Sequence, residues 1–154
     1  MPGVLIRSLP PRARLPLKRL QRTGRRALRA LGRAGSEVHL TYVNDRRMKS
    51  LNARFLGKEK RTDVLAFPFD EQGPVPLLGE VVVSWETAKR QAGRLGHSLE
   101  QELHLLTIHG LLHLVGYDDR SPLDAQLMHD RERSLFHQIV GDSPPSLWKD
   151  LLSA

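Results

Sequence analysis

The eleven residues from His109 to Asp119, HGLLHLVGYDD, carry the side chains of this chain best suited to chemistry. Two histidines four positions apart on a helix project from the same face, so both imidazoles can meet one ion. Gly116 can then end such a helix in a left-handed conformation and turn the chain, bringing Asp118 or Asp119 back toward the same point. The chain contains no cysteine, so any metal must be held by His, Asp or Glu. Position 110 is Gly, and the motif therefore lacks the general base of an HExxH metalloprotease, which counts against peptide hydrolysis. A histidine pair at this spacing also arises in helices as two satisfied polar groups, and the pair alone does not separate the readings.

The elements that must position this segment are legible from periodicity. A helix is predicted from Leu99 to Val115 with Ser98 as N-cap and two glutamates in its first turns. Before it, Trp85 to Leu95 reads as another helix, and a last one runs from about Pro122 to Val140. Glu37 to Val43 alternates polar and apolar residues, with Val38, Leu40 and Tyr42 on one face, as a half-buried strand does. Asn44 or Asp45 can cap a short helix reaching Phe55. VLAFPF and GEVVVS supply two more strands, the first placed by Pro68 at its end or at a sheet edge. Leu17, Leu20, Ala27, Leu28 and Leu31 recur near a helical period and should end near Gly32 to Gly35. This mixture of strands and helices in 154 residues implies one α+β or α/β domain. Its expected limits are 17–140, after a flexible Pro- and Arg-rich leader at 1–16 and before a weakly specified tail at 141–154.

Charge is unevenly distributed. Of the 24 Lys and Arg residues, ten lie in residues 1–36 with no acid among them, leaving 14 against 17 carboxylates in the remainder. An Arg-rich arm of this kind can bind a polyanion, serve as a transit peptide, or form the solvated face of a helix. No apolar run approaches the ~18–20 residues of a membrane span, and the start lacks a secretory pattern. A soluble cytoplasmic protein is the expectation.

The complete string from 109 to 119 resembles the signature of the YbeY family of endoribonucleases, HGxLHLxGYDH, and fits ten of its eleven positions. The resemblance extends through GHSLEQELHLLTIHG, through Met128 and Glu132 downstream, and back through LNARFLGKEKRTDVLAFPFDE and LGEVVVS, covering about residues 37 to 139. It implies an α+β fold, a mixed four-stranded sheet packed against helices, and a zincin-like metal site on a helix. It further implies one zinc ion per chain, held by three histidines. The activity implied is a single-strand-specific endoribonuclease acting in 16S ribosomal RNA 3′-end maturation and ribosome quality control. Ribosomal RNA and the small ribosomal subunit or its associated proteins would be the partners, and a membrane would not.

Carried over by position, His109 and His113 are the first two ligands, and the third position, a histidine in the family, is Asp119. Zinc accepts a carboxylate oxygen at roughly 2.0–2.2 Å beside imidazole nitrogens. The added negative charge should weaken the ion as a Lewis acid and raise the pKa of its bound water. Asp118 remains an alternative ligand, although the family also has Asp there and it reads better as a turn or supporting group. A second departure is Leu56, which aligns with a family arginine that could clamp a phosphate. Arg54, Lys58, Lys60 and Arg61 lie nearby in sequence and are the candidates for holding the RNA backbone; the alternative for each is a solvated basic loop. No side chain is assigned as a catalytic acid or base. The leading alternative, fed by the changes at 56 and 119, is a ribosome-associated assembly factor with the same fold and reduced or lost nuclease activity. A metal-dependent hydrolase of another phosphoester or amide is a third reading.

Overall fold

The computed structural model describes residues 3–9, 14–55, 63–69 and 77–148. Strand β1 (Val4–Leu9), helix α1 (Leu17–Ala30), strand β2 (Glu37–Val43) and helix α2 (Asp45–Phe55) come first. Strands β3 (Val64–Pro68) and β4 (Leu77–Ser84) follow, then helices α3 (Trp85–Leu95), α4 (Leu99–Leu114) and α5 (Pro122–Ile139), and a 3-10 turn at Pro145–Trp148. The strands form one mixed four-stranded sheet in the order β1-β2-β4-β3, so the α+β expectation holds. β1, β2 and β4 run parallel, and β3 lies antiparallel on the edge beside β4, where Pro68 needs no donor on its open side.

Parallel neighbours require crossovers, and α1 makes the first of them between β1 and β2. Val38, Leu40 and Tyr42 point to the sheet face that α1, α3 and α4 cover, together with Val81 and Val83 of β4. Helix α4 is apolar almost all round, with Leu103, Leu106, Ile108, Leu111 and Leu112 all fully buried, as befits a helix with the sheet on one side and another helix on the other. Its second side packs Leu105, Ile108 and Leu112 against Met128, Leu135 and Phe136 of α5. Its start is fixed by a capping box in which Ser98 and Gln101 exchange side-chain and backbone hydrogen bonds. At Gly110 a Cβ would lie 2.4 Å from Val81 Cγ1. Glycine therefore lets α4 rest directly on β4 one residue after His109.

Two expectations are corrected. The segment taken as an irregular leader contains β1, paired with β2 from Val4↔Val38 to Leu9↔Val43, and Val4 is 3% exposed in the core. Its alternation places Val4, Ile6 and Ser8 inward. The tail taken as weakly specified places Leu147 and Trp148 in the α4–α5 core at 2% exposure each. The folded unit thus extends past 17–140 at both ends. Among the described residues no helix is long and apolar enough to cross a membrane.

Candidate functional site

His109 and His113 lie one turn apart on α4 and meet edge to face, with ring centroids 4.6 Å apart and planes at 77°. Their Nε2 atoms face one another at 3.1 Å. His109 turns its other nitrogen, Nδ1, to the Glu132 carboxylate of α5, which is 1% exposed. Glu132 reaches this point because α5 is started by the Ser121 cap, with Pro122 at the first helical position, and then lies along α4.

The pairing fixes a tautomer. A carboxylate accepts, so His109 Nδ1 donates its proton to Glu132 and Nε2 is left with a lone pair directed at His113. Burial lowers the pKa of His113, the neighbouring His109 lowers it further, and the charges of Asp119 and Glu132 oppose the shift without cancelling it. His113 is therefore held toward its neutral form. Two nitrogens facing at this distance are compatible with a hydrogen bond between them or with a shared cation.

The pair also fits a metal on geometric grounds. Two nitrogens each roughly 2.0–2.1 Å from one tetrahedral ion stand about 3.3 Å apart, close to the 3.1 Å observed. A carboxylate behind a ligating histidine is the usual support for such a ligand, since it sets the ring's tautomer and orientation. The third ligand is not brought in: among the described residues no three His, Asp or Glu side chains gather closely enough to hold an ion. Asp119 is exposed, and its charge raises the His113 pKa against the effects that lower it. Gly116 has the positive φ expected of it, +105°, but the turn it makes leaves Asp119 exposed. Asp118 accepts a hydrogen bond from the Arg120 backbone at 3.1 Å, a contact local to the turn.

Of the four basic residues assigned to RNA, Lys58, Lys60 and Arg61 lie outside the described residues, as does Leu56; Arg54 belongs to α2, with its side chain likewise outside the description. Glu132 is the site residue that reading the segment 109–119 missed. Its signal was present: it falls on the same stripe of α5 as Met128, Leu135 and Phe136, and a carboxylate among core positions demands a partner. Gly110 was read only as the absence of a glutamate, whereas in the fold it lets α4 lie against Val81 at a position between the two histidines in sequence.

Comparison with known proteins gives consistent relatives. A sequence profile described as Endoribonuclease YbeY matches residues 13–140. Proteins named Endoribonuclease YbeY are similar to this chain. The one from Anaeromyxobacter sp. is 44% identical over 81% of this chain and 66% of its own length. Its counterpart from Desulforamulus reducens is 41% identical over 68% of this chain and 72% of its own length. That of Moorella thermoacetica is 42% identical over 77% of this chain and 83% of its own length. The match thus spans about two thirds of the first relative. Among solved structures, a Thermotoga maritima protein determined in solution shares the fold with a TM-score of 0.61 at 23% identity, covering 97% of this chain and 92% of that one.

Proposed function

The chain belongs to the endoribonuclease YbeY family, and from that premise we propose that it is a metal-dependent endoribonuclease acting on single-stranded regions of ribosomal RNA in the cytoplasm. The observation that carries the reading is the pair of opposed Nε2 atoms, backed by the buried Glu132. In this reading His109 and His113 hold one zinc ion and Asp119 closes the set as the third ligand. When bound, such an ion supplies a Lewis acid for a phosphoryl oxygen and lowers the pKa of a bound water toward ~7.

The protein's own residues do the rest. Glu132 keeps the His109 Nδ1 proton in place, so Nε2 keeps its lone pair free for a cation and the ring is held in orientation. Desolvation keeps His113 available as a neutral ligand. Arg54, Lys58, Lys60 and Arg61 would grip the phosphodiester backbone, which in single-stranded RNA is reachable together with splayed bases. Leu56 cannot contribute the charge that the family's arginine brings, so transition-state stabilisation falls to these neighbours.

A second reading follows from Leu56 and Asp119: a ribosome-associated assembly factor that binds the small subunit and cleaves little or nothing. Metal content of the purified protein, combined with cleavage of single-stranded RNA before and after chelation, separates the two. The expected result is about one zinc per chain and cleavage that disappears with chelator and returns with zinc. Metal-free protein without cleavage would replace the nuclease with the assembly factor.

A further inference from the structure

We propose that the solvent face of α1 is an RNA-backbone track, a binding surface separate from the histidine pair; this deepens the reading of the protein as a ribonuclease and rests on it. Lys18, Arg22, Arg25, Arg26, Arg29 and Arg33 are all exposed on this helix and the turn that ends it. None of the six has an ion-pair partner among the described residues, whereas Arg19 is held by both carboxylate oxygens of Glu100 at 2.8 and 2.9 Å. No acidic residue occurs anywhere in residues 1–36. Lys18, Arg22, Arg25, Arg29 and Arg33 recur every three or four residues, which places about one cation per 5.4 Å of helix on a single side. A solvated surface helix without such a ligand gains from interspersed carboxylates, and this one has none.

Charge and shape favour RNA over other anionic partners. A basic amphipathic helix binds a membrane by inserting its apolar face, but the apolar face of α1 is already occupied. Leu20, Ala27 and Leu28 are 0–2% exposed in the core. An acidic protein partner would call for apolar anchors within the basic surface. The exposed large apolar side chains among the described residues are Leu5, Phe69, Leu123 and Leu127, none of them on α1. A row of cations without ion-pair partners or apolar anchors among the described residues suits a phosphodiester backbone, where affinity comes from released counterions and not from buried area.

The track also has a direction. Arg19 meets Glu100, Thr23 meets His104, and the Ala30 carbonyl accepts from Arg131 of α5, so α1 runs parallel to α4 and toward the end of it that carries the histidines. RNA held along α1 is thereby led to the end of the molecule where it would be cut.

The test is binding of a labelled 20-nucleotide single-stranded RNA to the full chain across 50–300 mM salt. Two quadruple variants are compared, Arg→Gln and Arg→Lys at positions 22, 25, 26 and 29. Each lost contact should reduce the slope of log affinity against log salt by about 0.7, so the glutamine variant should lose roughly 2–3 units of slope while the lysine variant keeps it. A wild-type slope in the glutamine variant overturns the proposal. So does Arg-dependent binding to phosphatidylglycerol vesicles in place of RNA. If the quadruple variant fails to melt cooperatively, the pair Arg22→Gln and Arg26→Gln, expected to lose about 1.4 units, decides in its place. A slope that depends on α1 in a protein without nuclease activity would retain the track and remove the nuclease reading. Cleavage with an unaltered slope would do the opposite.

Discussion

Helix α4 carries His104 near its beginning and His109 with His113 near its end, and the two regions use the same side chain in opposite ways. His104 has both ring nitrogens closed: Nδ1 meets Thr23 Oγ1 at 2.8 Å, and Nε2 meets Glu100 at 3.1 Å, itself anchored by Arg19. His97, just before the helix, is closed too, with Glu102 on one nitrogen at 2.6 Å and Ser146 on the other at 3.2 Å. At the far end His109 Nδ1 is closed by Glu132 and His113 is hydrogen-bonded to the Tyr117 backbone, while the two Nε2 atoms are left to each other. Burial does not distinguish these histidines, because a satisfied core histidine and a ligand can be equally enclosed. What each Nε2 meets does, a carboxylate in His97 and His104 and another imidazole in His109 and His113, and it divides α4 into a scaffold end and an open end.

The strongest way to break this division is His113→Ala. Removal of one of two opposed donors should abolish stoichiometric zinc and lower metal affinity by more than about 100-fold, exceeding the loss expected for a supporting residue. Metal analysis after dialysis, with a melting curve as control, reads it. Full occupancy in the variant would place the ion elsewhere. Glu132→Gln is next. The isosteric amide keeps the shape but no longer supplies a charged acceptor for His109 Nδ1, and affinity should fall about 10–100-fold. If affinity does not change, Glu132 is structural in the manner of Glu102.

The scaffold end should answer in stability. Thr23→Val leaves a buried nitrogen of His104 without its partner and should cost about 1–3 kcal/mol in denaturant unfolding, with metal affinity unchanged. Gly110→Ala joins the two ends. Its methyl group would press into Val81, so overpacking should cost about 1–3 kcal/mol and weaken the metal site as well, because α4 must lift from β4. Loss of stability with an intact metal site would mean that the pair does not depend on this seating.

Much of this was legible in the sequence, and the failures share a cause. Strand β2, helix α3 and the Ser98 cap follow local rules, and the structure places them where pattern and capping residues put them. The histidine pair was legible because a four-residue spacing is itself local. By contrast β1 is stabilised by its ladder to β2 about 34 residues away, and the turn at Pro145–Trp148 by the side chains of α4 and α5. Short segments like these show little periodicity of their own, and nearby prolines conceal what there is. Glu132 is separated from His109 by 23 positions. Its role is a property of how α5 packs on α4, to which the sequence offers only a carboxylate on an apolar stripe.

The smallest expected effect is a pH dependence that separates the scaffold histidine from an ordinary surface ion pair. Burial lowers the pKa of His104 from 6.5, and the opposing pull of Glu100 does not fully restore it. The unfolded chain therefore takes up this proton first as pH falls below about 6.5, and folding stability drops from there until the folded pKa is passed. Asp45 acts lower. Burial would raise its pKa, but hydrogen bonds from Arg90, Ser84 and Thr87 and the charge of Arg90 together bring it down to about 2. Its contribution is present above the unfolded value near 3.8 and is lost as pH falls toward 2. Since the Asp45 side chain is 38% exposed, salt should screen much of that contribution. Melting temperatures at pH 7, 5.5, 4 and 2.5 should show His104→Gln flattening only the upper part of the profile and Asp45→Asn only the lower. If His104→Gln leaves the slope between pH 7 and 5.5 unchanged, the upper window belongs to another histidine, and the distinction between closed and open rings must be drawn elsewhere on the helix.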